Sequence, residues 1–90
     1  MAWRIEFDPA AEKELAKLGS EPARRVLKFL LERVAILDDP RAIGEALKGS
    51  ELGDFWKYRV GDYRIIADIQ DGAVRILIVR IGNRRDVYKR

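Results

Sequence analysis

Residues 55–66 read Phe-Trp-Lys-Tyr-Arg-Val-Gly-Asp-Tyr-Arg-Ile-Ile, and this stretch decides the fold class. Apolar and charged residues alternate on both sides of Gly61-Asp62, and a Gly/Asp pair between two such segments is a strong signal for a two-residue β-turn. A two-residue turn places Arg59 directly opposite Arg64. The stretch therefore predicts a β-hairpin with a defined register.

Further strands extend this hairpin into a sheet. The strand that begins at Tyr63 is predicted to run to Gln70, and after a turn at Asp71-Gly72 another strand covers residues 73–81. Residues 3–7 also alternate apolar and charged side chains, which predicts a first strand. We expect this strand to join the same sheet, because an isolated strand cannot satisfy its backbone hydrogen bonds.

Two helices are predicted between the first strand and the hairpin. Asp8-Pro9 combines an N-cap with proline at the first helical position, and Gly19 is placed to end this helix. Ser20 is predicted to cap the second helix, which Pro40 terminates. Residues 41–47 are predicted as a helical stub. The second helix should be four to five turns long, since its apolar stripe comprises Ala23, Val26, Leu27, Leu30, Leu31, Val34 and Leu37.

The predicted element order is β-α-α-β-β-β. This order describes an α+β fold in which two N-terminal helices pack on one face of a twisted, mainly antiparallel, four-stranded sheet. With 90 residues, of which 48% are hydrophobic, the chain is expected to form one domain over residues 1–90. The sheet face that we expect beneath the helices carries Trp56, Tyr58, Val60, Tyr63, Ile65 and Ala67.

Composition excludes several kinds of chemistry. The sequence contains no cysteine and no histidine, which argues against disulfide scaffolds, thiol catalysis, common metal sites and histidine acid–base catalysis. No cofactor is therefore expected. No apolar run approaches the roughly 20 residues of a membrane span, and no leader precedes the first strand. We expect a soluble cytoplasmic protein without a membrane partner.

Positive charge is concentrated in the last third of the sequence. Residues 1–54 hold 9 Lys+Arg and 11 Asp+Glu, a net of −2, whereas residues 55–90 hold 9 and 4, a net of +5. The two parts sum to the formal net charge of +3. Such asymmetry indicates an anionic partner at one face, although ordinary surface charge is the alternative.

The predicted hairpin gathers three cations on one face of the sheet. Alternation puts Lys57 and Arg59 on the same side of their strand, and the turn brings Arg64 opposite Arg59. Like charges directly opposite each other are destabilising, so the cluster favours a phosphate site over a purely structural role. The alternative is a solvated face with Asp68 as a counter-ion.

The C-terminal stretch, residues 80–90, adds further cations and Tyr88. Such a stretch is suited to RNA, because arginine forms bidentate bonds to phosphate and an aromatic ring can stack on a base. Alternatively, Val87-Tyr88 holds the end of the chain against the domain. The residues predicted to bind RNA or phosphate are Arg80, Arg85, Lys89 and Arg90, in addition to Arg84 and Tyr88.

The sequence resembles the RelE/ParE superfamily of toxin–antitoxin toxins, and it is most similar to the RelE-type mRNA interferases. The resemblance covers essentially the whole chain and is most specific in two blocks. These blocks are Trp56-Lys57-Tyr58-Arg59-Val60-Gly61-Asp62-Tyr63-Arg64 and Ile81-Gly82-Asn83-Arg84-Arg85-Asp86-Val87-Tyr88.

This resemblance implies metal-free cleavage of mRNA in the ribosomal A site. The RNA 2′-hydroxyl would attack the adjacent phosphate and leave a 2′,3′-cyclic phosphate and a free 5′-hydroxyl. By the same resemblance, the catalytic residues are Lys57, Arg59, Arg64, Arg84 and Tyr88. Fixed cations would stabilise charge on the phosphoryl oxygens, with Arg84 near the leaving oxygen.

The identity of the general base stays open between two residues. Tyrosine ordinarily has a pKa near 10, and surrounding cations would favour the phenolate of Tyr88. Lys57 is the alternative, because neighbouring guanidinium groups disfavour its protonated form. The expected partners are mRNA, the ribosome and a RelB-like or other small antitoxin. A second reading is a ParE-type toxin that inhibits DNA gyrase without cutting RNA.

Overall fold

A computed structural model describes residues 2–47 and 55–83. Five strands form one mixed sheet in the order β1-β5-β4-β3-β2, with two α-helices packed on it. The predicted α+β class, with N-terminal helices and a mainly antiparallel sheet, is confirmed. In chain order the elements are β1 Arg4–Phe7, α1 Pro9–Lys17, α2 Ser20–Phe29, β2 Glu45–Ala46, β3 Trp56–Val60, β4 Tyr63–Gln70 and β5 Arg75–Asn83.

The β3–β4 hairpin has the predicted register. Val60 pairs with Tyr63 and Arg59 pairs with Arg64, so only Gly61 and Asp62 form the turn. Gly61 has a φ of 59°, a left-handed conformation that glycine adopts without steric cost. The turn chemistry of the sequence therefore sets which side chains face each other across the two strands.

The N-terminal strand pairs with the last described strand. β1 runs parallel to β5, with Arg4 opposite Arg75 and Phe7 opposite Ile78. The Asp8 carboxylate accepts a hydrogen bond from the Ala10 backbone N–H at 3.1 Å, which confirms the predicted cap of α1. This cap turns the chain out of the sheet and sends α1 back across β5.

The core lies between the helices and one face of the sheet. Tyr58, Ile65 and Ala67 are buried there, and Trp56 and Val60 are partly buried against the same cluster, as the alternation predicts. The helices contribute Ala11, Val26 and Leu30, and the last strand contributes Ile76, Ile78 and Ile81.

The sheet has five strands, and the prediction of four strands was wrong in this respect. The segment predicted as a helical stub is a 3-10 turn, Pro40–Ile43, followed by the short strand β2. Glu45 pairs with Lys57 and Ala46 pairs with Trp56. Two residues are too few for a periodicity signal, so β2 was not detectable by alternation.

The second helix is shorter than predicted. Its α-helical part ends at Phe29, and a π-helical turn, Leu30–Val34, follows. Gly19 occupies the N-cap position in place of Ser20. The π turn keeps Leu30 and Val34 buried, but Leu31, which we assigned to the apolar stripe, is 56% exposed.

The β4–β5 connection also differs from the prediction. A 3-10 turn, Asp71–Ala73, replaces the two-residue turn, and Val74 adopts a left-handed conformation with φ of 49°. The last strand therefore begins at Arg75 and not at residue 73, and it continues to Asn83. Among the described residues, no helix is long and apolar enough to cross a membrane.

Candidate nucleic-acid interface on the first hairpin

Three cations on β3 and β4 form the candidate site, which we term the hairpin cation cluster: Lys57, Arg59 and Arg64. Lys57 and Arg59 are two residues apart on β3, and Arg64 is the ladder partner of Arg59. Alternation therefore places all three on the sheet face opposite the Tyr58 core face. The structure brings together the three hairpin residues that the sequence analysis selected.

Arg64 is held by the backbone of its own turn. Only 8% of its surface is accessible, and its Nη1 donates hydrogen bonds to the carbonyl oxygens of Gly61 and Tyr63, both at 3.1 Å. No carboxylate within residues 2–47 and 55–83 forms an ion pair with it. A guanidinium has five N–H donors, so the two bonds fix its position while its positive charge stays unneutralised by these residues.

The other two cations of the cluster differ from Arg64 and from each other. Arg59 is exposed. The Lys57 Nζ lies 3.8 Å from a carboxylate oxygen of Glu45 on β2, and 23% of the Lys57 side chain is exposed. Asp68, the predicted counter-ion, accepts a hydrogen bond from Gln70 at 2.9 Å. Glu45 is thus an acidic neighbour of the cluster, and it belongs to the short strand β2, which was not predicted from the sequence.

A further cation on α2 lies beside the hairpin turn. A Cβ atom placed on Gly61 would be 3.0 Å from Nη2 of Arg25, so this guanidinium covers the outside of the turn. Arg25 was not among the predicted site residues. No sequence signal could have selected it, because its proximity to Gly61 depends on how α2 packs over the sheet.

A β-bulge decides which way Arg80 points. Ile66 pairs with Arg80 but Ala67 pairs with Ile78, so Val79 is an extra residue in β5. Strict alternation from Ile78 would direct Arg80 into the core, and the bulge buries Ile81 there instead. The register then places Arg80 on the same face as the hairpin cation cluster.

Glu14 of α1 engages Arg80 at the edge of the sheet. Its carboxylate accepts hydrogen bonds from the Arg80 Nε at 3.1 Å and from the Ile81 backbone N–H at 2.8 Å. The pairing of β1 with β5 ends at Ile78, so Glu14 supplies the acceptor that a longer β1 would have offered to Ile81. The assignment of Arg80 to phosphate binding stays a prediction, and it requires this ion pair to open or be shared.

Arg41 connects the segment before β2 to the β4–β5 turn. Its guanidinium donates to both carboxylate oxygens of Asp71, at 3.2 and 2.6 Å, and to Asp39 at 3.3 Å. It also lies 5.8 Å from the centre of the Trp56 ring. The hydrogen bond from Arg41 lowers the pKa of Asp71. This network holds the chain next to β2, which carries Glu45.

The tyrosine within the hairpin is a structural residue. The Tyr58 hydroxyl donates a hydrogen bond to the Pro40 carbonyl oxygen at 2.6 Å, and burial raises the pKa of Tyr58 to about 12. A buried phenol with this pKa stays protonated at neutral pH. Tyr58 is therefore unsuited to act as a general base.

The remaining predicted site residues belong to the C-terminal stretch. These residues lie outside the described part of the chain, and they are Arg84, Arg85, Tyr88, Lys89 and Arg90. Within the described ranges, no group of three Asp or Glu side chains is placed to hold a metal ion.

Comparison with known proteins defines the class to which this fold and its hairpin belong. Residues 5–88 match the family model of the ParE toxin of the type II toxin–antitoxin system parDE. The chain therefore belongs to the RelE/ParE superfamily of toxins of toxin–antitoxin systems. Within the superfamily it is similar to the RelE-type toxins, as the following relatives show.

The mRNA interferase toxin RelE of Escherichia coli is 32% identical over 90 residues, which cover 98% of this chain and 92% of that protein. Toxin RelG of Mycobacterium tuberculosis is 28% identical and is matched over its full length.

Solved structures of toxin–antitoxin complexes contain the same fold. In the RelBE2 complex of M. tuberculosis, the matching chain has a TM-score of 0.83 and 26% identity, with 96% of this chain and 95% of that chain covered. In the intact RelBE complex of E. coli, the TM-score is 0.72 and the identity 30%, with 91% and 96% covered. The resemblance stated from the hairpin and the Gly82-Asn83 block is thus confirmed.

Proposed function

We propose that this RelE-type toxin is a ribosome-dependent endoribonuclease that cleaves mRNA in the A site. The observation that carries the proposal is the hairpin cation cluster. In this cluster Arg59 lies opposite Arg64 in the ladder and two residues after Lys57 on β3. The similarity to a protein named mRNA interferase toxin RelE supports it. The reaction would be a metal-free attack of the 2′-hydroxyl on the adjacent phosphate.

The cluster offers two kinds of cation for a phosphoryl group. Negative charge accumulates on the phosphoryl oxygens in the transition state, and donors that are already oriented stabilise it without reorganisation. Arg64 is such a donor, because the turn carbonyls hold its guanidinium in place. Arg59 is exposed and would close on the phosphate when RNA binds. Arg84 would neutralise charge on the leaving 5′-oxygen.

The proton of the attacking 2′-hydroxyl needs an acceptor. Tyr88 and Lys57 stay the two candidates. Tyr58 is excluded as a base because burial raises its pKa to about 12. Lys57 would have to leave its contact with Glu45 to approach the substrate. The proposal therefore favours Tyr88 as the base.

Primer extension on translated mRNA tests the proposal. Wild-type protein should produce new 5′ ends within translated codons, and a double variant that combines Arg64→Ala with Arg84→Ala should not. Purified ribosomes are included and omitted in parallel, which separates ribosome-dependent cleavage from cleavage of free RNA. Equal cleavage by wild type and the double variant would refute the catalytic assignment.

The family model supports a second candidate function. Because that model describes the ParE toxin of parDE, inhibition of DNA gyrase is the alternative activity. A supercoiling assay with purified gyrase distinguishes the two candidates. Inhibition at stoichiometric toxin, without new mRNA ends, would favour the gyrase reading.

The partner that we propose for this toxin is a small antitoxin of RelB type. Its similarity to the matching chains of the RelBE2 and RelBE complexes supports this assignment. Co-expression with the product of a neighbouring short reading frame should suppress toxicity and yield a stable complex. Persistent toxicity and separate elution of the two proteins would contradict the pairing.

A further inference from the structure

We propose that a groove beside Tyr63 binds a nucleobase of RNA, from a nucleotide next to the phosphate that the hairpin cation cluster holds. This inference rests on the proposed function for the identity of the substrate as RNA and for the phosphate at the hairpin cation cluster. The groove itself is defined by the described residues. It lies where β4 begins and β5 ends, next to the C-terminal end of α1.

The groove has the size and lining of a small-ligand cleft. Its volume is about 410 Å³, within the range of roughly 300–1,000 Å³ that is typical of such clefts. Tyr63 supplies an aromatic wall, Leu18 and Ile81 supply apolar surface, and Lys17 and Arg80 bring positive charge. An aromatic ring beside cations is the combination that binds bases without strong sequence preference.

The groove residue Tyr63 is adjacent to the proposed catalytic residues in the sequence and in the strand ladder. Tyr63 immediately precedes Arg64 and is the ladder partner of Asn83, which immediately precedes Arg84. Consecutive residues of a strand point to opposite faces, so Tyr63 lines the helix side while Arg64 lies on the cation side. Both faces meet at this end of the sheet, so a nucleotide whose phosphate contacts Arg64 can direct its base around the end into the groove.

The electrostatics of the groove suit a base attached to a phosphate backbone. Among the described lining residues, the one carboxylate is that of Glu14, and it accepts hydrogen bonds from the Arg80 Nε and the Ile81 backbone N–H. Lys17 is exposed in the last turn of α1, where it can contact a phosphate that follows the base. The ring of Tyr63 offers a planar apolar surface on which a base can stack.

A cross-linking and binding experiment on the free protein tests this site. The probe is a 2′-O-methylated RNA pentanucleotide with one 5-iodouracil, which cannot be cleaved by 2′-hydroxyl attack. Irradiation should cross-link the base to Tyr63, identified by mass spectrometry. In fluorescence anisotropy, Tyr63→Leu should weaken binding about tenfold, because base–aromatic stacking is worth roughly 1–3 kcal/mol, whereas Tyr63→Phe should bind like wild type.

A second variant keeps the test independent of folding. Lys17→Glu changes an exposed side chain at the groove and should weaken binding several-fold without changing the thermal midpoint. Unchanged affinity in both Tyr63→Leu and Lys17→Glu, or cross-links only to residues outside the groove, would overturn the proposal.

The binding assay does not depend on cleavage, so the two proposals can fail separately. Cleavage on ribosomes without a Tyr63 cross-link would leave the nuclease in place and remove the base site. A Tyr63 cross-link in a protein that cuts no mRNA would support the base site and remove the proposed catalytic function.

Discussion

Arg59 and Arg64 are direct partners in the β3–β4 ladder, yet Arg59 is exposed whereas Arg64 keeps only 8% of its surface accessible. The difference arises because the Arg64 guanidinium folds back onto the carbonyl oxygens of Gly61 and Tyr63. This arrangement separates two like charges that would otherwise repel each other across the ladder. We therefore expect the two residues to differ in their contributions to the free energy of unfolding.

Substitution of the two arginines should therefore have different effects on stability. We expect Arg64→Ala to lower the free energy of unfolding by about 1–3 kcal/mol, since two hydrogen bonds from a charged donor are lost. Arg59→Ala should change it by less than about 0.5 kcal/mol, as is usual for exposed positions. Urea denaturation of both variants measures these changes, and equal stabilities would show that the turn bonds contribute nothing.

Cleavage should fall in both arginine variants. If each guanidinium stabilises the transition state, each alanine substitution should reduce the single-turnover rate on the order of 10²-fold. Arg64→Lys is the informative control, because it retains the charge but cannot form the forked contact with the turn. An Arg59→Ala variant that cleaves at the wild-type rate would place phosphate binding elsewhere.

Removal of the Glu14 carboxylate should loosen the edge of β5. Glu14→Ala removes an acceptor of the Ile81 N–H and of the Arg80 Nε, and we expect the free energy of unfolding to fall by about 1–3 kcal/mol. Glu14→Gln keeps a carbonyl oxygen for Ile81 and should lose less. Hydrogen exchange at the Ile81 amide reports on this contact, and unchanged protection in Glu14→Ala would contradict the edge-capping role.

Tyr58 should make stability depend on pH in the alkaline range. Its folded-state pKa of about 12 lies above the ordinary value near 10, because burial disfavours the phenolate. The native state thus retains a proton that the unfolded state releases. The contribution of Tyr58 to the free energy of unfolding is fully present below pH ~10 and is lost as the pH rises towards 12. Tyr58→Phe should lack this loss and, at neutral pH, be less stable by about 1–2 kcal/mol.

The free energy of unfolding of wild type and Tyr58→Phe should be measured between about pH 8 and 11, because an ordinary tyrosine titrates around pH ~10. The comparison is between the slopes of the two curves against pH. Parallel curves for the two proteins would show that the buried hydroxyl does not contribute the pH dependence.

The Arg41–Asp71 ion pair should be sensitive to acid. The pKa of Asp71 is lowered by its hydrogen bond from Arg41, so the carboxylate stabilises the native state above the unfolded pKa of about 3.9. This contribution should disappear as the pH falls below about 4 through the folded-state value. Thermal midpoints of wild type and Asp71→Asn should differ at pH 6 and converge in acid, and Asp62→Asn serves as the matched control. A constant difference down to pH 2 would contradict the assignment.

The hairpin was predictable because two independent signals agree there. Strict alternation assigns Tyr58 and Ile65 to the core face, and Gly61-Asp62 limits the turn to two residues. Position on a face does not determine exposure, however. Alternation placed Arg64 beside Arg59, but only the turn geometry shows that Arg64 is buried and bound to backbone carbonyls.

Other features left no readable pattern. Val74 is β-branched and would not be expected at a positive φ, so the longer β4–β5 turn had no signature in the sequence. The bulge at Val79 interrupts the alternation of β5 within one apolar strand and gives no composition cue. Glu14 and Arg25 reach the site only through the packing of their helices, which local periodicity does not specify.

The parallel pairing of Arg4 with Arg75 joins positions about 70 residues apart in the chain, a separation that slows folding. During vectorial synthesis, β1 is translated long before its parallel partner β5. Strand β5 lies between β1 and β4, so the sheet cannot be completed before Arg75–Asn83 has left the exit tunnel. The nascent chain therefore cannot pair the two edges of β5 with β1 and β4 until this late strand has been translated.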